Sequence, residues 1–361
     1  MYDTLRLGET TEKQSGNALF LGTAGSGKWN FFAENIKNQE HANMVIVDVD
    51  NTFYEKTKKS LKEKGYHIQR VCALEGTYNP FDYMNSDENI ISFADIIARQ
   101  LVENRDADPF WYAITKNAIT DLLKEFRQNH DLSELNMKQF YDMCATPEKY
   151  SKNVSDKTAS SIAISLAAAL ESYQIIDDKK YEKVDLSLLF TGKRQAVFLE
   201  LDVSSDLPNM IYIILLSQLM NQVTADNNKL KNKILFFLNE ATNLPVLDIP
   251  HFKRIMREGN DYGMQVVLEA QNVHNPFMDM VDYIVYSGGN TDAEAAEYLS
   301  QKMGEILSTT EPTDSTSGQA SRRVFTDSEI LRMMTNEELI LIADEGCILD
   351  KKIVPLQNKK G

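Results

Sequence analysis

The chain has few of the residues that build covalently stapled or metal-held cores. Three of its 361 residues are cysteine (Cys72, Cys144 and Cys347), far apart and with no CxxC pair. That excludes a disulfide framework and a cysteine zinc cluster, and leaves reduced thiols as the reading. The five histidines form neither HxxxH nor HExxH, so no metal ligand set is expected. Nine prolines and 43% apolar content exclude a disordered or collagen-like chain. Positive charge is scarce as well: 38 basic residues face 53 acidic ones, a net charge of −15. A non-specific DNA binder draws its affinity from phosphate neutralisation and carries the opposite balance. Any nucleic-acid contact here has to be local, weak or made by an assembled ring. Long apolar runs are missing too. The most apolar stretch, Ile211-Tyr-Ile-Ile-Leu-Leu216, is interrupted at Ser217 and Gln218, far short of the roughly 18 residues a membrane span needs. Residues 1–16 are polar and mixed in charge, unlike a secretory leader. The expectation is a soluble, cytoplasmic protein, built as one large α/β domain or as such a domain with a sizeable insertion.

What the sequence does contain begins with a strand, a glycine loop, a helix and a second strand. Asn17-Ala-Leu-Phe-Leu21 is a short apolar run that ends at Gly22-Thr-Ala-Gly-Ser-Gly27. Residues 28–38 can continue as a helix, and Asn43-Met-Val-Ile-Val-Asp48 reads as a buried strand. That order predicts a parallel sheet with a right-handed crossover. A short strand over residues 67–72 follows. Residues 84–182 then change character, with aliphatics at helical spacing, as in Ile91, Ala94, Ile97 and Leu101, and no convincing strand. We read them as an all-helical insertion, with an alanine- and serine-rich helix over residues 155–173. Strands return at residues 195–202, 233–238, 264–269 and 283–286, with a helix over residues 212–223. Residues 307–322, rich in Ser, Thr, Asp and Gly, read as a mobile loop. A helix near residues 327–334 and a strand over 339–343 close the chain. The fold class is therefore α/β, a mostly parallel central sheet formed by residues 1–83 and 183–361, interrupted by the helical insertion.

Gly22-Thr23-Ala24-Gly25-Ser26-Gly27-Lys28 matches the GxxxxGK half of a P-loop and stands in the required strand–loop–helix context. Its glycines let backbone N–H groups turn inward around a phosphate, the following helix adds its N-terminal dipole, and Lys28 reaches the terminal phosphates. The next position departs from the pattern. A working P-loop has Ser or Thr there to coordinate Mg²⁺; this chain has Trp29, whose indole offers no oxygen. The bland reading of Trp29 is a packed ring that leaves the metal without its ligand. A second element, Ile234-Leu-Phe-Phe-Leu238-Asn239-Glu240, has the form of a Walker B strand. Its acidic metal-holding position is Asn239, a neutral and weaker partner for a hydrated dication. Glu240 stands where the water-polarising base belongs.

Taken in order, these segments resemble the type IV coupling proteins of bacterial conjugation, the TraG family. The resemblance also rests on Val45-Ile-Val-Asp48, Leu61-Lys-Glu-Lys-Gly-Tyr66, Tyr78-Asn-Pro-Phe81 and Asp108-Pro-Phe-Trp111. It continues through Lys157-Thr-Ala-Ser-Ser-Ile-Ala-Ile-Ser-Leu166, Phe236-Phe-Leu-Asn-Glu-Ala-Thr-Asn-Leu-Pro245, Gln271, Gly288-Gly-Asn290 and Glu297-Tyr-Leu299. It spans residues 17–354. It implies a RecA-like P-loop motor with an all-helical insertion, ATP as cofactor, and assembly as a homo-hexamer. The implied partners are a relaxase or other transfer substrate protein, DNA, and components of the secretion channel at the inner face of the membrane. By the same resemblance Lys28 binds phosphate, Glu240 is the catalytic base and Gln271 senses the γ-phosphate. The family's membrane anchor has no counterpart here. Its glycine-arginine stretch appears as Gly259-Asn260, so the position of a trans-acting arginine finger is Asn260, with Arg257 three residues earlier.

Three readings follow. The chain is a nucleotide-binding coupling protein with weak or lost hydrolysis, a non-catalytic scaffold that uses the motor fold for docking, or an active DNA-translocating ATPase that tolerates the changes. Three substitutions around one metal–phosphate centre weigh against the last.

Overall fold

The computed structural model describes residues 3–49, 51–72, 75, 77–102, 109–150, 155–171, 173, 183–201, 209–225, 230–239, 246–289, 292–308, 320–343 and 346–353. The chain opens with an antiparallel ribbon, β1 (Leu5–Arg6) and β2 (Glu12–Lys13). Next come β3 (Ala18–Leu21), α1 (Lys28–Asn38), β4 (Asn43–Val49), α2 (Thr52–Glu63) and β5 (His67–Val71). Four helices follow: α3 (Asp87–Leu101), α4 (Pro109–Arg127), α5 (Met137–Cys144) and α6 (Asp156–Leu170). The chain then returns through β6 (Gln195–Leu201), α7 (Asn209–Ala225), β7 (Ile234–Leu238), α8 (Phe252–Tyr262), β8 (Met264–Ala270), β9 (Tyr283–Ser287) and α9 (Ala293–Met303). It ends in β10 (Glu305–Ser308), β11 (Ala320–Arg323), α10 (Asp327–Leu331), β12 (Glu337–Ile342) and β13 (Gly346–Lys351).

Nine strands form one sheet in the order β13-β12-β9-β3-β8-β7-β4-β6-β5. The seven from β9 to β5 are parallel, and β12 and β13 extend the sheet antiparallel at one edge. A parallel sheet is covered on both faces, which is why its central strands are apolar throughout rather than alternating. β4, β7 and β8 are buried along their whole length. On one face Phe31, Phe32 and Ile36 of α1 and Phe53 and Leu61 of α2 meet Phe20, Ile46, Phe198 and Phe237. On the other, Leu19, Val45, Phe236 and Leu268 meet helices that include α3, α7 and α9. Residues 210–217 of α7 are buried on every side, so a run that reads as unusually apolar for a helix is a core helix. No described helix is long and apolar enough to cross a membrane.

Between β5 and β6 the described residues form helices and turns without a strand. Phe81, Phe93 and Phe140 meet there with ring centroids 5.4 Å apart in each pair. Ser86 caps α3, Ser155 caps α6, and Asn136 with Gln139 forms a capping box on α5. These side chains satisfy helix N–H groups that have no intrahelical partner. α6 buries Ala159, Ile162, Ala163, Leu166 and Leu170 and leaves Ile164 exposed, a one-sided helix.

Two expectations need correction. The loop expected over residues 307–322 starts and ends in strands: Leu307 and Ser308 lie in β10, and Ala320, Ser321 and Arg322 in β11, paired as an antiparallel ribbon. Residues 309–319 lie outside the described residues. The strand expected to close the chain is followed by another, β13, because residues 337–342 and 346–351 pair as a hairpin at the sheet edge.

Candidate phosphate-binding site

β3 delivers the glycine loop to the C-terminal edge of the sheet, where open α/β sheets bind ligands. The Gly22 N–H donates to the Ala270 carbonyl at 3.1 Å, which fixes the start of the loop beside the end of β8. A Cβ on Gly22 would lie 2.6 Å from Ser26 Oγ, so only glycine fits there. The loop then turns through left-handed Gly25 and Gly27, at φ 80° and 105°. Ser26 N–H closes the turn on the Thr23 carbonyl at 3.1 Å. Asn30 and Phe31 donate to the Gly27 carbonyl at 3.0 and 3.2 Å and start α1. Gly27 gives α1 no side-chain cap. The positive end of the helix macrodipole therefore points into the loop, the arrangement that favours a phosphate.

The loop is held from behind by residues the sequence did not single out. The Ser26 carbonyl accepts hydrogen bonds from Ser287 Oγ at 2.6 Å and from Lys352 Nζ at 2.8 Å. Lys352 also donates to the Gly288 carbonyl at 3.0 Å, and its methylenes lie against Gly27. Burial lowers the Lys352 pKa, while nearby Glu338 opposes that shift. The Glu338 carboxyl, itself buried, is pushed up to about 8 by burial and by Asp350, against the pull of Lys352.

Lys28 opens α1, and its ammonium lies 2.8 Å from Glu269 Oε1. Glu269 is fully buried near the end of β8, paired in register with Phe20 of β3. Trp29 turns toward α2, where its ring packs at a tilt against Phe53 with centroids 4.7 Å apart and Lys56 lies over it at 5.0 Å. Asn239 follows β7 and is fully buried, and neither end of its amide has a hydrogen-bond partner among the described residues. On the next strand Asp48 accepts from the Phe53 and Tyr54 N–H groups at 2.7 Å each. Burial raises its carboxyl to about 6 against those two bonds.

Thus Gly22 to Trp29, Asn239 and the unpredicted Glu269 converge at one edge of the sheet. Gln271 lies exposed just beyond β8. Glu240 lies outside the described residues. Asn260 sits at the opposite end of the sheet, on the last turn of α8, where its Oδ1 accepts from the Gly16 N–H at 3.3 Å. Arg257 is exposed on the same helix.

The donor set does not suit Mg²⁺. Trp29 offers no oxygen, Asn239 is an amide, and the Asp48 carboxylate is committed to backbone N–H groups. Among the described residues no group of three or more His, Cys, Asp or Glu is placed to hold a metal ion. The loop suits a phosphate: its backbone cradle is intact, nothing lies within 4 Å of where a Cβ on Gly25 would stand, and the Asn239 amide, just past β7 and one strand removed from β3, has no partner among the described residues.

Residues 5–277 match the family model of the type IV secretion-system coupling protein DNA-binding domain. Among solved structures, the plasmid coupling protein TrwB with ADP and Mg²⁺ aligns at TM-score 0.75 and 13% identity, covering 95% of this chain and 87% of that one. TrwB with a non-hydrolysable GTP analogue aligns at TM-score 0.73 and 14% identity, over 96% and 87%. VirB4 of Thermoanaerobacter pseudethanolicus aligns at TM-score 0.59 and 15% identity, over 94% and 90%. No curated protein sequence matches the chain.

Proposed function

The chain belongs to the family of type IV secretion-system coupling proteins, through their DNA-binding domain, and from that premise we propose that it is a nucleotide-binding member whose hydrolytic centre is lost. ATP sits on Gly22, Thr23, Ala24, Gly25, Ser26, Gly27 and Lys28, with Trp29 flanking the loop and Gln271 near the γ-phosphate. Glu240 keeps the position of a catalytic base without a metal to work beside. Residues 84–182 act as a helical subdomain that engages a relaxase or another transfer substrate, alone or with DNA. The motor part, residues 1–83 and 183–361, assembles as a hexamer against the secretion channel. Asn260 lies at the far end of the sheet from its own loop, so a residue there reaches a phosphate only across a subunit boundary.

One observation carries the reading: the phosphate cradle is complete while both metal anchors are replaced. In related P-loop enzymes the metal neutralises charge that develops on the transferring phosphoryl group. Without it, and without the finger arginine, nucleotide binding survives and turnover does not. The test is phosphate release from ATP by the full chain, with and without single-stranded DNA and Mg²⁺. The expected result is a background rate in every condition. Several turnovers per second would restore the active-translocase reading.

A further inference from the structure

A carboxylate is missing from β7 at Asn239, and one stands on the neighbouring strand at Glu269. The two positions are one step past the paired residues Leu238 and Leu268, and Phe237 and Val267 before them share the core under α1. Side chains alternate along a strand, so Glu269 stands on the face of Val267, under α1, where its carboxylate meets Lys28. In the ordinary arrangement the acidic residue on β7 is engaged by the metal, and the loop lysine is left for phosphate. Here the acidic residue is fully buried and bonded to that lysine, whose own side chain is only 11% exposed. The carboxylate has no water to fall back on, and the ammonium has little.

We propose that Glu269 is a specificity-determining residue of this site, an internal carboxylate that competes with the phosphate ligand for Lys28 and restricts the loop to di- and triphosphates. The inference rests on the nucleotide-binding reading. A ligand that draws Lys28 toward itself leaves a buried carboxylate less compensated, and a ligand that shares Lys28 brings like charge against Glu269. In either case binding is opposed. A single phosphate offers only the contacts of the loop and the helix N-terminus to offset that cost. A diphosphate or triphosphate spans the loop and offers more. Trp29 leaves no metal at hand to screen the repulsion, so the selectivity belongs to the protein itself.

The experiment is calorimetric titration of the full chain with ADP and, separately, with inorganic phosphate, both in EDTA. The unmodified chain is expected to bind ADP and to show no heat with phosphate at millimolar concentration. Glu269→Gln keeps the shape and removes the charge, so ADP is expected to bind on the order of tenfold tighter, with phosphate now detectable. Because Gln leaves Lys28 without its buried counter-ion and can destabilise the free fold, Glu269→Asp is measured beside it. The shorter side chain withdraws the charge, so its ADP affinity falls between the other two. Unchanged or weaker ADP binding in Glu269→Gln, or in Glu269→Asp should the first variant not fold, overturns the competition while the unmodified chain still binds ADP. Absence of ADP binding in the unmodified chain and in both variants overturns the nucleotide reading itself.

Discussion

Replacing Asn239 by aspartate restores the residue type expected at a Walker B metal position, and the structure says that alone it harms the protein. The side chain is fully buried, and the residue stands one step past Leu238, as Glu269 stands one step past Leu268, its pair on the adjoining strand. Strands in a sheet run about 4.8 Å apart. Two like charges about 5 Å apart at an effective dielectric near 20 repel by about 3 kcal/mol, before any desolvation is counted. Lys28, paired with Glu269, offsets part of that repulsion, so the single variant in EDTA is expected to lose up to about 3 kcal/mol of unfolding free energy, read from urea titration at pH 7. Adding Trp29→Thr supplies the missing hydroxyl and gives up the ring contacts with Phe53 and Lys56, a further cost of about 1–2 kcal/mol. The double variant should then show what the unmodified chain does not, stabilisation by Mg²⁺ with nucleotide. At ligand a hundredfold above its Kd that gain is about 2.7 kcal/mol. Stability of the single variant equal to the unmodified chain in EDTA would refute the placement of residue 239 beside a buried charge. A double variant indifferent to Mg²⁺ would refute the assignment of Trp29 and Asn239 as the lost metal anchors.

Further outcomes follow from the same geometry. Glu338 holds its proton in the folded state up to about 8 against an ordinary 4.5, so unfolding releases that proton between these values and stability falls as pH rises through the window. Glu338→Gln should flatten the fall by a few kcal/mol, about the size linkage gives for such a shift, in urea titrations at pH 5 and pH 8.5. A Cβ on Gly288 would lie 2.4 Å from the Met334 carbonyl oxygen, so Gly288→Ala should cost roughly 2 kcal/mol or more by thermal melting. Asn260→Arg added to the Trp29→Thr, Asn239→Asp double variant should raise phosphate release only at concentrations where the chain is oligomeric, checked by sedimentation alongside the assay.

Local features of the site were legible because they are written in consecutive residues. The P-loop needs seven positions and a strand before it, and Gly22 to Lys28 supply them. Trp29 was readable as a packed ring because an indole has no role in the metal shell, and its ring lies on Phe53. The partners that shape the loop were not legible, because they arrive from the other end of the chain. Glu269 is 241 residues from Lys28, while Ser287 and Lys352 are 261 and 326 residues from Ser26. In sequence Glu269 is a single acidic residue at the end of an apolar run, which reads as a strand terminus. Only the sheet order, with β8 placed between β3 and β7, turns it into the neighbour of both the loop and Asn239. The β1–β2 ribbon is not legible in the sequence for a similar reason. It is too short for a periodic signal and is tied to β13 by the Asp350 carboxylate, which accepts from Thr10 and Thr11.

The central claim, a phosphate cradle that works without a metal, is tested most directly by titrating the full chain with ATP twice, once in millimolar Mg²⁺ and once in EDTA. Trp29 lies beside the loop and is one of only two tryptophans, so its fluorescence reports occupancy, with Trp111→Phe removing the background. The account predicts saturable binding in both titrations with Kd values within about threefold of each other, a difference below 1 kcal/mol. Binding that requires Mg²⁺, or no binding at millimolar ATP in either titration, would contradict it.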